Sequence, residues 1–229
     1  FDLQLFEADG HLNFDTKVDE KGFSSGISKL GGIAKGGLAV LGASVAGITT
    51  AFAGMSKAAL GSVASLEQNV GGVETLFKEN AKTVIENANN AYKTAGLSAN
   101  EYMQSVTSFS ASLLQSVGGD TAEAAKIADM AMVDMSDNAN KMGTDMASIQ
   151  NAYQGFAKQN YTMLDNLKLG YGGTKEEMNR LLTDATKISG VKYDISNLND
   201  VYSAIHVIQG ELGITGTTAK EASTTIEGS

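Results

Sequence analysis

The chain has 229 residues, no Cys, no Pro and two His, and its 17 basic and 26 acidic residues give a formal net charge of −9. The lack of Cys excludes disulfide scaffolds, Cys-ligated zinc, iron–sulfur clusters and thiol catalysis, and an acidic chain with a single arginine, Arg180, is not suited to binding the phosphates of nucleic acid. Average usage would place about 11 prolines in a chain of this length, so their absence favours a protein that is helical for most of its length.

The first residues have the alternation that is typical of short β-strands. Large or β-branched side chains recur at every second position in two stretches, Phe1, Leu3 and Leu5 and then Leu12, Phe14, Thr16 and Val18. A period of two places such side chains on one face of a strand. We therefore expect residues 1–30 to form an N-terminal arm that carries one or two short strands.

Residues 31–70 are predicted to form one long helix with a seam for self-association. Residues 36–56 carry no charge, and most of their large apolar side chains are spaced alternately by three and four positions, at Leu38, Leu41, Val45, Ile48, Phe52 and Met55, with a continuation to Leu66. This spacing is the heptad pattern of a coiled coil. The positions between them are mostly Gly, Ala, Ser and Thr, which let neighbouring helices approach closely. We therefore expect copies of the chain to associate along this seam.

A membrane-spanning helix is the alternative for residues 36–56. A charge-free run of 21 residues is long enough to cross a bilayer. Hydrocarbon surrounds such a helix on every side, however, and favours apolar bulk all round rather than on one stripe. The pattern therefore favours the packed helix, and insertion of this segment into a host membrane stays open.

Residues 71–229 are predicted to form a compact domain of five or six amphipathic helices, the last of them cut short by the end of the chain. Signals for the ends and starts of helices recur regularly. Each helical pattern ends near Gly, and a polar residue then caps the next helix. The predicted starts are Ser98, Asp120, Gly143-Thr144, Thr174, Ser196 and Thr218, and Glu follows three residues after Ser98, Asp120, Thr174 and Thr218, as in a capping box. Ile188 and Leu212 are expected on inner helix faces. The predicted fold class is therefore mainly α.

No motif in the chain predicts catalysis, a cofactor or a metal ion. His206 adjoins the apolar stripe of the last long helix, and we expect it at the boundary of the core, without a second His nearby. The acidic stretch 134–145 lacks the alternating oxygen ligands of a calcium loop, which predicts a solvated helix end. The glycine-rich loop 169–174 could bind phosphate at a helix N-terminus, but no phosphate-binding lysine follows, and a turn is favoured. Residues 22–26 match a nucleophile elbow without the sheet that this motif requires.

Several longer stretches resemble one known family. They are ALGSVASLEQNVGGVETLF (59–77), SFSASLLQSVGGD (108–120), MSDNANKMGTD (135–145) and IQNAYQGFAKQNYTMLDNLKLGYGGTKEEMNRLL (149–182). They are similar to the N-terminal region of tail tape-measure proteins from long-tailed phages and prophages of Gram-positive bacteria. The likeness covers roughly residues 59–229, and the block 149–182 is its most specific part.

This resemblance implies a structural virion protein, with no catalytic residue that can be placed in this region. Proteins of the family lie in the lumen of the growing phage tail tube, set its length during tail assembly and leave ahead of the genome at infection. The implied partners are further copies of the chain, the tail tube protein and the tail-assembly chaperones of the host cytoplasm. A helix rises 1.5 Å per residue, so a long helical chain can measure distance. The alternative function is a membrane-active, pore-forming helical protein that acts in genome delivery.

Overall fold

The computed structural model describes the backbone of residues 57–227 and the side chains of residues 65–224. These residues belong to a compact unit that spans Lys57–Ser229. The predicted N-terminal arm with its strands and the seam residues from Leu38 to Met55 lie outside the described residues. The strands and the long heptad helix therefore stay predictions.

Eight α-helices follow one another in the described part of the chain. They are α1 (Lys57–Phe77), α2 (Ala81–Ala95), α3 (Ala99–Ser116), α4 (Thr121–Met142), α5 (Met146–Phe156), α6 (Lys175–Ser189), α7 (Leu198–Glu211) and α8 (Thr217–Glu227), with short 3₁₀ turns at Lys78–Asn80 and Leu164–Leu167. Residues 57–227 contain no strand, and the predicted mainly α class is confirmed. Seven of the helices lie beyond residue 80, where five or six were predicted.

Polar side chains start α3 and α4 where the sequence predicts them to do so. At α3 the Ser98 hydroxyl accepts a hydrogen bond from the Glu101 amide, and the Glu101 carboxylate accepts one from the Ser98 amide. This reciprocal pair is a complete capping box and satisfies two amides that the helix itself leaves without partners. Asp120 caps α4 through the amides of residues 122 and 123.

Three predicted caps differ from the structure, two of them by one residue and the third by two. Helix α5 is capped by Asp145, whose side chain accepts from the Ser148 amide, and α7 is capped by Asn197, whose side chain accepts from the Asn199 amide. In both cases the cap is the residue after the predicted hydroxyl. At α5 this agrees with Asp being a stronger cap than Thr, and at α7 the Ser196 hydroxyl instead donates to Asp194 at 2.7 Å. Helix α8 begins at Thr217, so its predicted cap lies inside the first turn.

Helix α4 is the centre of the unit and contacts α1, α2, α3, α5, α7 and α8. Small side chains are buried along it at Ala124, Ala125, Ala128 and Ala131, and small side chains at a contact reduce the distance between helix axes. A helix with neighbours on this many sides buries most of its circumference rather than one stripe. The polar residues of α4 are consequently drawn into the core.

An aromatic cluster (Phe109, Tyr153, Phe156 and Tyr202) joins α3, α5 and α7. The Tyr202 ring lies 5.7 Å from the Phe109 ring at nearly a right angle and 5.0 Å from the Tyr153 ring. The Tyr202 hydroxyl donates to the carbonyl of Tyr153 at 2.9 Å. Edge-to-face and tilted ring pairs add to the free energy gained from burial alone, so this cluster is a main source of stability.

Helix α1 crosses the position at which the sequence analysis places a domain boundary, between residues 70 and 71. Val70, Val73 and Phe77 are buried, and α1 contacts α2, α3 and α4. Leu66, the last residue of the predicted seam, is half-buried on the same helix. The compact unit Lys57–Ser229 therefore includes α1.

Two residues expected on inner helix faces are exposed instead. Ile188 is 47% exposed and Leu212 is 50% exposed. Both lie at the C-terminal end of a helix, Ile188 in the last turn of α6 and Leu212 directly after α7. The 3.6-residue period places them on the apolar stripe, but they are at the helix ends, where the surrounding helices cover them less.

Candidate functional site

The predicted self-association seam is described at one residue only. Leu66 is half-buried, and the seam residues 38–55 and the elbow-like motif at 22–26 lie outside the described residues. Among residues 57–227, no helix is both long enough and apolar enough to cross a bilayer. The membrane alternative for residues 36–56 therefore stays a prediction, as the seam does.

The glycine-rich loop before α6 is closed by side chains of the protein itself. The amide of Gly172, which could face a phosphate, donates to Glu177 Oε2 at 3.0 Å. Arg180 bonds the same carboxylate and the carbonyl of Gly170, and its guanidinium lies 4.3 Å from the centre of the Tyr171 ring. The Arg180 and Gly172 hydrogen bonds lower the pKa of Glu177 to about 2. A carboxylate of the chain thus occupies the place of an anion at this helix start, which supports the interpretation as a turn.

The prediction that the acidic stretch from residue 134 is a solvated helix end is wrong. Four of its side chains, predicted to be solvated, are buried: Asp134, Ser136, Asp137 and Asn138. They lie in the central helix α4, and together with His206 of α7 they form a group that we call the central polar cluster. Burying polar groups is favourable only when they gain partners inside the protein, so the partners explain the cluster.

Asp134 is paired with His206. The Nδ1 atom of His206 lies 2.8 and 3.0 Å from the two carboxylate oxygens. Asp134 is 1% exposed and the His206 side chain is 40% exposed, so the histidine lies at the boundary of the core, as predicted. Burial raises the pKa of Asp134, against the effect of the histidine. The hydrogen bond to Asp134 raises the pKa of His206, against the effect of burial.

We expect the stability of the folded unit to fall as the pH rises through the pKa of His206. A histidine in an unfolded chain titrates near pH 6.5. Because folding raises the pKa of His206, its stabilising contribution is complete below about pH 6.5 and is lost as the pH rises through the folded pKa. The raised pKa of Asp134 acts with the same sign at lower pH. The melting temperature should decrease between about pH 5.5 and about pH 8.5.

The variant His206→Gln is the control for this pH dependence. It keeps a polar side chain at the same place without a titrating ring, and the second histidine, His11, is present in both chains. The variant should show a shallower decrease of melting temperature over the same pH range. An identical decrease in both chains would contradict the assignment to His206.

Asp137 caps a helix to which it does not belong. Its Oδ2 accepts from the amide of Gly216 at 2.6 Å and its Oδ1 accepts from the amide of Thr218 at 2.8 Å. The hydroxyl of Thr217 donates to the backbone carbonyl of Asp137 at 3.3 Å. Asp137 is completely buried. A carboxylate at the first turn of α8 is favoured by the unpaired amides and by the positive end of the helix dipole.

The two remaining α4 residues of the central polar cluster tie this helix to other segments. Ser136 donates to the carbonyl of Ala95, the last residue of α2, at 2.6 Å. Asn138 donates to the carbonyl of Leu167 at 3.0 Å. The central polar cluster therefore connects α4 with four separate parts of the chain. In this arrangement the polar groups form hydrogen bonds that hold these segments together. Within the described residues, no group of three or more His, Cys, Asp or Glu residues could hold a metal ion.

The sequence contains one signal that could have revealed this burial. Asp134 and Asn138 continue the stripe of Ile127 and Ala131, since the four positions are spaced by four, three and four residues. Such spacing keeps residues on one helix face. Ile127 and Ala131 are buried, so polar residues on the same stripe must be buried as well.

Two grooves open on the surface of the described residues, with volumes of about 370 and about 440 Å³. The larger lies between α3 and α5, and the smaller lies between the ends of α3 and α5 and the segment before α7. Amide and hydroxyl side chains line both, including Gln104, Gln150 and Gln154 in the larger and Gln115, Ser116 and Asn197 in the smaller. Neither groove includes a residue of the central polar cluster, so the cluster is separate from these openings.

Comparison of the chain with protein-family models, with curated proteins and with solved structures gives no match.

Proposed function

We propose that the chain is the N-terminal part of a phage tail tape-measure protein, a structural protein of the virion that sets tail length during assembly and is ejected ahead of the DNA. The observation that carries the proposal is the resemblance of residues 149–182 to that family. This block is 34 residues long and includes a Tyr-Gly-Gly-Thr segment directly before a charged helix.

The way in which this block is folded supports a protein that works by packing. Tyr153 is fully buried within the aromatic cluster, and the Tyr161 hydroxyl donates to the carbonyl of Ile195 at 2.9 Å. Gly173 lies against the backbone of Thr162 so closely that no side chain fits between them. Tyr153, Tyr161 and Gly173 of this block thus pack or bond segments of the fold together.

The proposal includes partners and a location. Several copies would lie together in the lumen of the tail, joined by the seam from Leu38 to Leu66, in contact with the tail tube protein. Tail-assembly chaperones would bind the chain in the bacterial cytoplasm before the tube encloses it. Residues 36–56 could enter the host membrane during genome delivery, which is the alternative function.

The folded unit itself is not the ruler in this proposal. Its helices are 11 to 22 residues long and pack against one another, whereas a ruler needs one helical path whose length grows with each residue. We assign the measuring function to a continuous helical region elsewhere in a longer protein. The unit at 57–227 would be a compact folded domain at one end of that protein.

Removing residues from that continuous helical region in frame should shorten the phage tail by about 1.5 Å per residue. Deletions of about 20, 40 and 80 residues are therefore expected to shorten tails by about 30, 60 and 120 Å, measured by electron microscopy. The linear series is the control for general damage, since a merely harmful deletion lowers the number of tails without setting a new length. Tails of unchanged length would contradict the proposal.

A further inference from the structure

In the last helix, α8, the described side chains at residues 217–224 bring little apolar surface to the unit. This helix contacts α2 and α4, and of its side chains between residues 217 and 224 only Thr218 is buried, while Thr217 and Ala222 are half-buried. The other five are exposed. Ile214, just before the helix, is buried and fixes the point at which the chain turns into α8. Hydrophobic burial by residues 217–224 therefore holds this part of the chain much less than it holds α3 to α7.

Polar contacts from α4 hold the described part of α8. Asp137 accepts from the amides of Gly216 and Thr218, and the Ser136 hydroxyl lies 3.2 Å from the Thr218 hydroxyl. On the exposed side, Asn140 donates to the carboxylate of Glu221. All these contacts are made by α4, and those of Ser136 and Asp137 are at the first turn of α8.

Folding and docking of α8 are coupled by this arrangement. Helix α8 has amides in its first turn that find no partner within the helix. Its first turn obtains its capping oxygens from Asp137, which can supply them only when α8 lies on α4. The helix is therefore stable when docked and loses its cap when it leaves.

Departure of α8 would break no ion pair of Asp137. Within the described residues, no Lys, Arg or His lies within salt-bridge distance of Asp137, and α8 covers this carboxylate from the side of its first turn. Departure of α8 would give Asp137 access to water, which replaces the lost hydrogen bonds. The same departure would require no change in the aromatic cluster, to which α8 contributes no ring.

We propose that residues 217–227 form a latch, a helix that opens and closes as one unit on α2 and α4 while α3 to α7 stay folded, with Asp137 as the residue that holds it closed. The open state frees the C-terminal end of the described chain and uncovers Ser136, Asp137 and the turn at Gly96, whose position lies next to Thr218. Local opening of this kind is expected where few apolar contacts hold an element to the rest.

Hydrogen exchange of backbone amides in the 229-residue chain tests the latch. In the wild-type chain, the amides of residues 220–227 should exchange together and at least about a hundredfold faster than those of residues 127–135 in α4. In Asp137→Asn, one amide donor of α8 faces an NH₂ group, and the exchange of 220–227 should become about tenfold faster while 127–135 changes little. Equal protection of both segments in the wild-type chain would overturn the proposal.

Asp120→Asn is the matched control. It makes the same chemical change at a cap that serves its own helix on the surface, where Asn caps as well as Asp, so exchange in 220–227 should stay at the wild-type rate. Ala222→Asp is a second variant in case Asp137→Asn fails to fold, since it places a charge on the docking face of α8 only. It should speed exchange in 220–227 without affecting 127–135, and equal acceleration of both segments would overturn the latch.

Discussion

Replacing Gly173 with Ala is expected to destabilise the folded unit by about 3 kcal/mol. A Cβ atom at this position would lie 2.1 Å from the carbonyl oxygen of Thr162 and 2.9 Å from its carbonyl carbon. Both atoms belong to the backbone, so no rotamer change relieves the overlap. The segment around Thr162 is itself fixed, because Tyr161 and Leu164 on either side are buried. The free energy of unfolding, measured with urea, should show the loss.

The neighbouring glycine provides the control. A Cβ atom at Gly172 would lie 3.5 Å from the Cγ atom of Glu177, which is an ordinary contact. Gly172→Ala should therefore change the free energy of unfolding by less than about 0.5 kcal/mol. Equal losses in the two variants would show that flexibility of the loop, rather than the contact with Thr162, requires glycine at these positions.

Replacing Tyr202 with Ala is expected to cost about 4 kcal/mol, since it removes the ring at the centre of the aromatic cluster. Tyr202 is completely buried and contacts the rings of Phe109 and Tyr153. Its removal leaves a cavity between α3, α5 and α7 that these helices can close only in part. Urea unfolding is again the measurement, and the transition should stay cooperative.

Two other tyrosine variants separate the contributions. Tyr202→Phe keeps the ring and loses the hydrogen bond to the carbonyl of Tyr153, at a cost of about 1 kcal/mol. Tyr92 is 68% exposed, and Tyr92→Ala should change stability by less than about 0.5 kcal/mol. A loss in Tyr202→Ala no larger than that in Tyr92→Ala would contradict the central place of Tyr202 in the core.

These variants also concern the block on which the proposed function depends. Gly173 and Tyr153 lie within residues 149–182, and each has a packing reason for its identity. The tail-length experiment tests the function independently, because it alters a different part of the protein.

The helix pattern of residues 81–227 could be predicted because its causes are local. The Ser98 hydroxyl and the Glu101 carboxylate that start α3 act over three residues. The glycines that end α2, α4 and α6 have a positive φ of 61° to 74°, which other residues rarely adopt. The apolar stripes then show which face of each helix is buried.

The stripe shared with Ile127 and Ala131 could have predicted the burial of Asp134 and Asn138, but the partners of the central polar cluster could not be predicted from local sequence. Asp134 to Asn138 have the composition of a solvated helix end, and composition was the basis of that prediction. Their burial follows from the number of helices around α4, which is a property of the whole unit. The partners are distant in sequence, since Asp137 is 79 and 81 residues from Gly216 and Thr218, and Asp134 is 72 residues from His206.

The sequence by itself thus determined the mainly α class, the positions of most helices and the absence of cysteine and proline chemistry, because these depend on side chains within a few residues of one another or on composition. The tertiary structure alone decided which helix is central, that its acidic residues are buried, and that α8 is capped by a residue of α4. A pattern along one helix specifies a face to bury, but the free energy of burying a polar group depends on the partner that another segment brings to it.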